Sequence, residues 1–94
     1  MTDPTTSDYL ARLQQCPEEE VIQVLVHDLR NKLAVIRGSA VFVDVDFDHP
    51  ETWDQETIQD IQELLSVIVN MAEEMENILN AAQRYVAIRR GEDR

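Results

Sequence analysis

Apolar residues recur along this chain at two helical registers. In the first, Ile22, Leu25, Leu29, Leu33, Ile36, Ala40 and Val43 follow one another at steps of three and four. That is the heptad seam of a helix packed lengthwise against other helices. In the second, Ile58, Ile61, Leu65, Ile68, Ala72, Met75, Leu79, Ala82 and Val86 repeat the alternation, widened by Leu64, Val67, Met71, Ile78 and Tyr85. A stripe that wide suits a helix with two neighbours. The spacing predicts a first helix over 17–43, a loop over 44–52, a second helix over 53–90 and a tail over 91–94. Pro17 fits a first helical position, and Glu18, Glu19 and Glu20 follow at the positive end of the helix dipole. Arg84, Arg89 and Arg90 gather at the far end of the second helix, where the dipole favours cations. Val41–Val45 alternates and also admits a strand, but a lone strand has nothing to pair with. Asp48 and Thr52 flank Pro50 as candidate caps for the second helix. Residues 1–16 form a polar lead-in. Within it Tyr9, Leu10 and Leu13 meet over a short helical turn, with Thr6 or Ser7 as its cap.

Ninety-four residues allow one domain. Two long helices cannot wrap a core of their own, so the expected fold is all-α, an antiparallel hairpin completed by a second copy into a homodimeric four-helix bundle. A formal charge of −11 argues against nucleic acid and anionic membrane surfaces as partners. Cys16 is the single cysteine, which rules out an internal disulfide and fits a reducing cytosol. No signal peptide and no apolar run of membrane-spanning length is visible, so the expected location is cytoplasmic.

The first helix carries a second stripe, Val24, His27, Asn31, Ala34, Gly38 and Val41, nearly opposite its seam. His27 lies roughly 165° from the seam centre, outward and among small residues. The run His27-Asp28-Leu29-Arg30-Asn31-x-Leu33, set in register with two heptad helices, resembles the phosphoacceptor motif of the dimerisation and histidine-phosphoacceptor domain of bacterial sensor histidine kinases. The resemblance covers roughly residues 21–89. Lys32 stands where that family usually has proline, so it keeps a backbone donor and should leave the helix straight.

Near neutral pH an unperturbed imidazole is largely the free base, a nitrogen nucleophile able to take a phosphoryl group. The resemblance implies that His27 is the phosphoacceptor. It gives Asp28 the work of orienting the ring and assisting as acid or base, and Asn31 that of positioning water to hydrolyse a phosphoaspartate. Asn31 lies one turn from His27 on the same face. Val24, Ala34, Gly38 and Val41 would form a docking patch for a response-regulator receiver domain or a histidine kinase. Each residue also has a plainer reading, since outward histidines, surface acids and a helical asparagine are commonly just solvated. His49, beside Pro50, reads as a loop residue, and Met71 and Met75 as core. Glu73, Glu74 and Glu76 read as a solvated face, with no metal ligand set and no cofactor expected.

The kinase family phosphorylates itself through a nucleotide-binding domain with glycine-rich loops, and Gly38 and Gly91 are the only glycines here. The expected function is therefore a histidine phosphotransfer or phosphatase module of two-component signalling. The alternatives are a non-catalytic dimerisation or docking module, or a fragment of a larger kinase.

Overall fold

The structure, a computed structural model, describes residues 4–91, with side chains from Thr6 onward. Three α-helices follow in order, α1 (Pro4–Gln15), α2 (Val21–Phe47) and α3 (Gln55–Arg89). Short 3-10 turns at Glu18–Glu20 and Pro50–Thr52 join them, and the described residues contain no strand. The chain is all-α, as the periodicity predicts.

Cross-helix pairs fix α2 and α3 as antiparallel. Lys32 Nζ meets Glu74 Oε1 at 2.7 Å, midway along the pair. At one end Arg89 pairs with Glu18. At the other, the Trp53 indole N–H donates to the Asp46 carbonyl at 2.6 Å, and the Trp53 ring meets Phe47 edge-on with centroids 5.1 Å apart. The Asp54 carboxylate caps α3 by accepting from the Thr57 N–H at 2.8 Å, which holds its pKa below the ordinary aspartate value. Beyond α3, Gly91 takes φ 75°, a left-handed stop that glycine adopts without a steric penalty.

Several expectations are corrected. The lead-in is not a polar segment with a short turn. It is the twelve-residue helix α1, laid against α3 and reaching the first half of α2 through its side chains. Leu13 is fully buried, and Tyr9 and Leu10 join it in a core with Val21, Ile78 and Ala81. Residues 1–3 of that segment and 92–94 of the tail lie outside the described residues. The first helix starts later, because residues 18–20 form a 3-10 turn, and it runs on to Phe47. Nothing between Asp44 and Phe47 breaks it, and the Asp48 N–H still donates to the Asp44 carbonyl at 3.2 Å. His49, forced out of helical geometry by the proline after it, ends the run. The loop therefore shortens, and Val41–Val45 is helix.

The seam of α2 is also rotated from its expected register. Its less exposed face runs through Val21, Leu25, Asp28, Lys32, Ile36, Ser39 and Val43. Ile22, at 68% exposure, and Leu33, at 44%, stand to one side of it. With Val26, Ala40 and Phe47 they make an open stripe about 90° round the helix from the face that meets α3. On α3, Ile58, Leu65, Ala72, Leu79 and Val86 recur at steps of seven and are likewise open, about 80° round from its face toward α2. Both rotations run in the same sense along the sequence, and the helices are antiparallel. The two open stripes therefore lie on one side of the pair. Tyr9, Leu10 and Leu13 of α1 cover the other side. A radius of gyration of 17.7 Å exceeds the roughly 12 Å of a compact chain of this length. One copy is a rod with one side bare.

Candidate functional site

His27 projects from the N-terminal half of α2, exposed, on the flank away from the open stripes. Asn31, one turn later, brings its Nδ2 within 3.2 Å of the ring Nε2. An amide N–H donating to Nε2 requires that nitrogen to be the unprotonated one, which leaves the ring hydrogen on Nδ1. Two of the sequence-predicted site residues are thus brought together by the four-residue spacing alone.

Asp28 is not brought to His27. One residue on in a helix is about 100° round, and that turn aims its carboxylate at α1. There Oδ2 accepts the Tyr9 phenol at 2.6 Å and lies 3.9 Å from Arg12 Nη2. The bond works both ways. Burial first, and then the hydrogen bond to Asp28 and its charge, push the Tyr9 phenol well above the ordinary tyrosine range. The expectation that Asp28 orients the His27 ring is corrected here, since the carboxylate is occupied by a residue from another helix.

The docking patch divides. Val24 packs half-buried against the core under α1, whereas Ala34, Gly38 and Val41 are exposed. A side chain built at Gly38 would meet nothing within 4 Å. Lys32 turns to Glu74 rather than toward His27, tying α2 to α3 across the bundle. α2 passes through Lys32 without interruption, as a residue with its N–H intact permits. His49 sits in the loop with Nδ1 3.3 Å from Glu51.

Sequence reasoning missed Tyr9 and Arg12 as site residues. Their signal was present in part, because Tyr9, Leu10 and Leu13 share a helical face, but the partner of the Tyr9 hydroxyl lies nineteen residues on, at Asp28. Tyr9, Arg12, Asp28, Asn31, Lys32 and Glu74, with Asn77 and Ile78, line a cleft of about 270 Å³ between the three helices. Among the described residues no group of three or more His, Cys, Asp or Glu is placed to hold a metal ion. Among the described residues no helix is long and apolar enough to cross a membrane. No protein-family model, curated protein or solved structure matches the chain.

Proposed function

We propose that this chain is a histidine phosphotransfer or phosphatase module of two-component signalling, acting as a homodimeric four-helix bundle on a response-regulator receiver domain. One observation carries the reading. An exposed imidazole has its Nε2 3.2 Å from the amide nitrogen of Asn31, one turn away on the same face. In the transfer, the ring turns off the Asn31 amide and the Nε2 lone pair attacks the phosphorus of a receiver phosphoaspartate. An N–P bond forms as the P–O bond to the aspartyl carboxylate breaks. The carboxylate leaves with the electron pair, and the Nδ1 proton is released to water. In the phosphatase direction Asn31 orients a water against the same phosphorus, giving inorganic phosphate and the free aspartate. Asp28 takes no part as base while Tyr9 holds it.

The dimer reading rests on the two open stripes. Ile22, Val26, Leu33 and Phe47 of α2 and Ile58, Leu65, Leu79 and Val86 of α3 are exposed on one side of one copy. A second copy related by a two-fold axis would cover both stripes at once, in the manner of a coiled-coil bundle. His27 faces away from that side, so the partner copy would leave it open.

A second reading, a docking module without chemistry, is favoured by the same Asp28 geometry. The acid that the family pairs with its histidine is engaged elsewhere. Mixing the protein with a radiolabelled phosphorylated receiver domain separates the two. Acid-labile, base-stable label on the hairpin that disappears in His27→Ala supports transfer. Label released as free phosphate in an Asn31-dependent way supports the phosphatase. If phosphorylated receivers from the source organism neither transfer nor lose label, the chain only docks.

A further inference from the structure

We propose that Arg12, carried in on α1, binds the phosphoryl group on His27. The proposal rests on the phosphoacceptor reading above and adds a helix that the histidine motif does not contain.

A recess of about 280 Å³ opens beside the imidazole, lined by Arg12, Glu20, Gln23, Val24, His27 and Asp28. No residue of α3 contributes to it. A phosphoryl group on the His27 ring carries up to two negative charges, and two of the lining side chains, Glu20 and Asp28, are carboxylates that repel it. Arg12 is the one cation on the wall. The Tyr9 hydroxyl already donates to Asp28 at 2.6 Å and so takes up part of that carboxylate's hydrogen-bonding capacity. Without Arg12 the wall offers a phosphoryl group no positive charge; with it, one of the negative charges gathered there is offset and a donor is supplied.

The guanidinium is placed without being used up. It lies over the Tyr9 ring with its carbon 5.2 Å from the centroid, the stacked arrangement favoured by a cation on an aromatic face. Its Nη2 is 3.9 Å from Asp28 Oδ2, near enough for attraction and too far for a hydrogen bond. A guanidinium has five N–H donors in a planar fork, a shape that matches phosphate oxygens, so donors remain for an incoming anion. Leu13, the next residue along α1, is fully buried and anchors that helix in the core with Val21, Ile78 and Ala81. On this reading Asp28 steers Arg12 rather than the imidazole. No bond is made or broken by Arg12; it contributes charge-assisted hydrogen bonds to a phosphoryl group that stays on nitrogen.

The test uses phosphoramidate, which phosphorylates imidazole nitrogen with release of ammonia and needs no receiver domain. The chain has two histidines, so a His49→Gln background leaves His27 as the only imidazole. Phosphorus NMR then follows the second ionisation of the phosphoryl group, and mass spectrometry its lifetime. Arg12→Ala and Arg12→Gln should raise the proton affinity of the phosphoryl group and speed its loss, each about threefold to tenfold, with Arg12→Lys in between. Tyr9→Phe, which keeps the guanidinium, separates loss of the cation from loosening of α1, and circular dichroism checks that α1 stays helical. If Arg12→Gln and Arg12→Ala titrate and decay like the parent, Arg12 does not touch the phosphoryl group. If phosphoramidate leaves His27 unlabelled, the recess does not accept the group and the proposal fails there too. A parent protein that neither takes label from phosphorylated receivers nor releases it as free phosphate overturns the phosphotransfer and phosphatase reading instead, while the chemically made phosphohistidine still decides the role of Arg12.

Discussion

The two sides of the α2–α3 pair are built from the same kinds of residue and end up in opposite conditions. On one side Tyr9, Leu10 and Leu13 of α1 lie over Val21, Ile78 and Ala81, and the cluster is closed. On the other, Ile22, Leu33, Leu65 and Leu79 face outward. The closed side is covered for only part of its length, because α1 has twelve residues against twenty-seven in α2 and thirty-five in α3. The difference separates what a single chain can do for itself from what it leaves to a partner. It also places the polar chemistry, since Tyr9, Arg12, Asp28, His27 and Asn31 all belong to the side that α1 covers or borders. The open side carries an apolar stripe along each helix. A protein that dimerised through its open side would keep its site free.

The largest effect should come from charging the open side. Leu65 is 45% exposed in one copy, so Leu65→Asp costs an isolated chain little. In the proposed dimer the same carboxylate is buried twice across a two-fold axis, at a cost that should weaken assembly by at least about a hundredfold. Sedimentation at micromolar concentration should show a dimer for the parent and a helical monomer for the variant. A parent that sediments as a monomer removes the dimer from the proposed function.

The covered side should respond through stability. Leu13→Ala empties a fully buried position between three helices, and the expected loss is about 3 kcal/mol in urea or thermal unfolding. The open stripes are untouched by that change, so sedimentation of the folded fraction should stay as in the parent. Assembly that fails together with stability would mean that the two sides are one cooperative unit.

How much of this the sequence showed depends on the range over which each contact acts. Steps of three and four predicted both long helices, because the hydrophobic period is a local property. The pairing of His27 with Asn31 was legible for the same reason: four residues is one turn. The register of α2 was not. Its apolar stripe spans two faces, one for α3 and one left open, and a single chain's spacing averages them. α1 was visible only as three apolar residues at helical spacing. A helix of twelve residues is marginal in water without tertiary contacts, and its contacts are with Val21, across the turn that follows it, and with Ile78 and Ala81, near the other end of the chain. Asp28 was misread through the same gap. Its neighbour in sequence is His27, but its partner, Tyr9, comes from a helix whose docking no local pattern announces.

The smallest expected effect sharpens the comparison most, because it should touch one side alone. The Tyr9 phenol holds its proton well above the ordinary tyrosine range, through burial first and then through the hydrogen bond and charge of Asp28, with Arg12 pulling the other way. In an unfolded chain tyrosine ionises near pH 10. A folded pKa raised above that value stabilises the fold fully at lower pH, and the contribution is lost as pH climbs from about 10 through the folded pKa. Alkaline pH should therefore loosen α1 from Asp28, while the stripes of the open side have no titrating side chain to respond. Tyr9→Phe should remove about 1 kcal/mol at neutral pH and abolish this part of the alkaline sensitivity. The measurement is a pair of thermal melts, at neutral pH and near pH 11, on parent and variant, with sedimentation run beside them. If the parent loses no more stability than Tyr9→Phe between the two conditions, the phenol–carboxylate bond does not hold α1, and another contact must be found to explain why Asp28 turns away from His27.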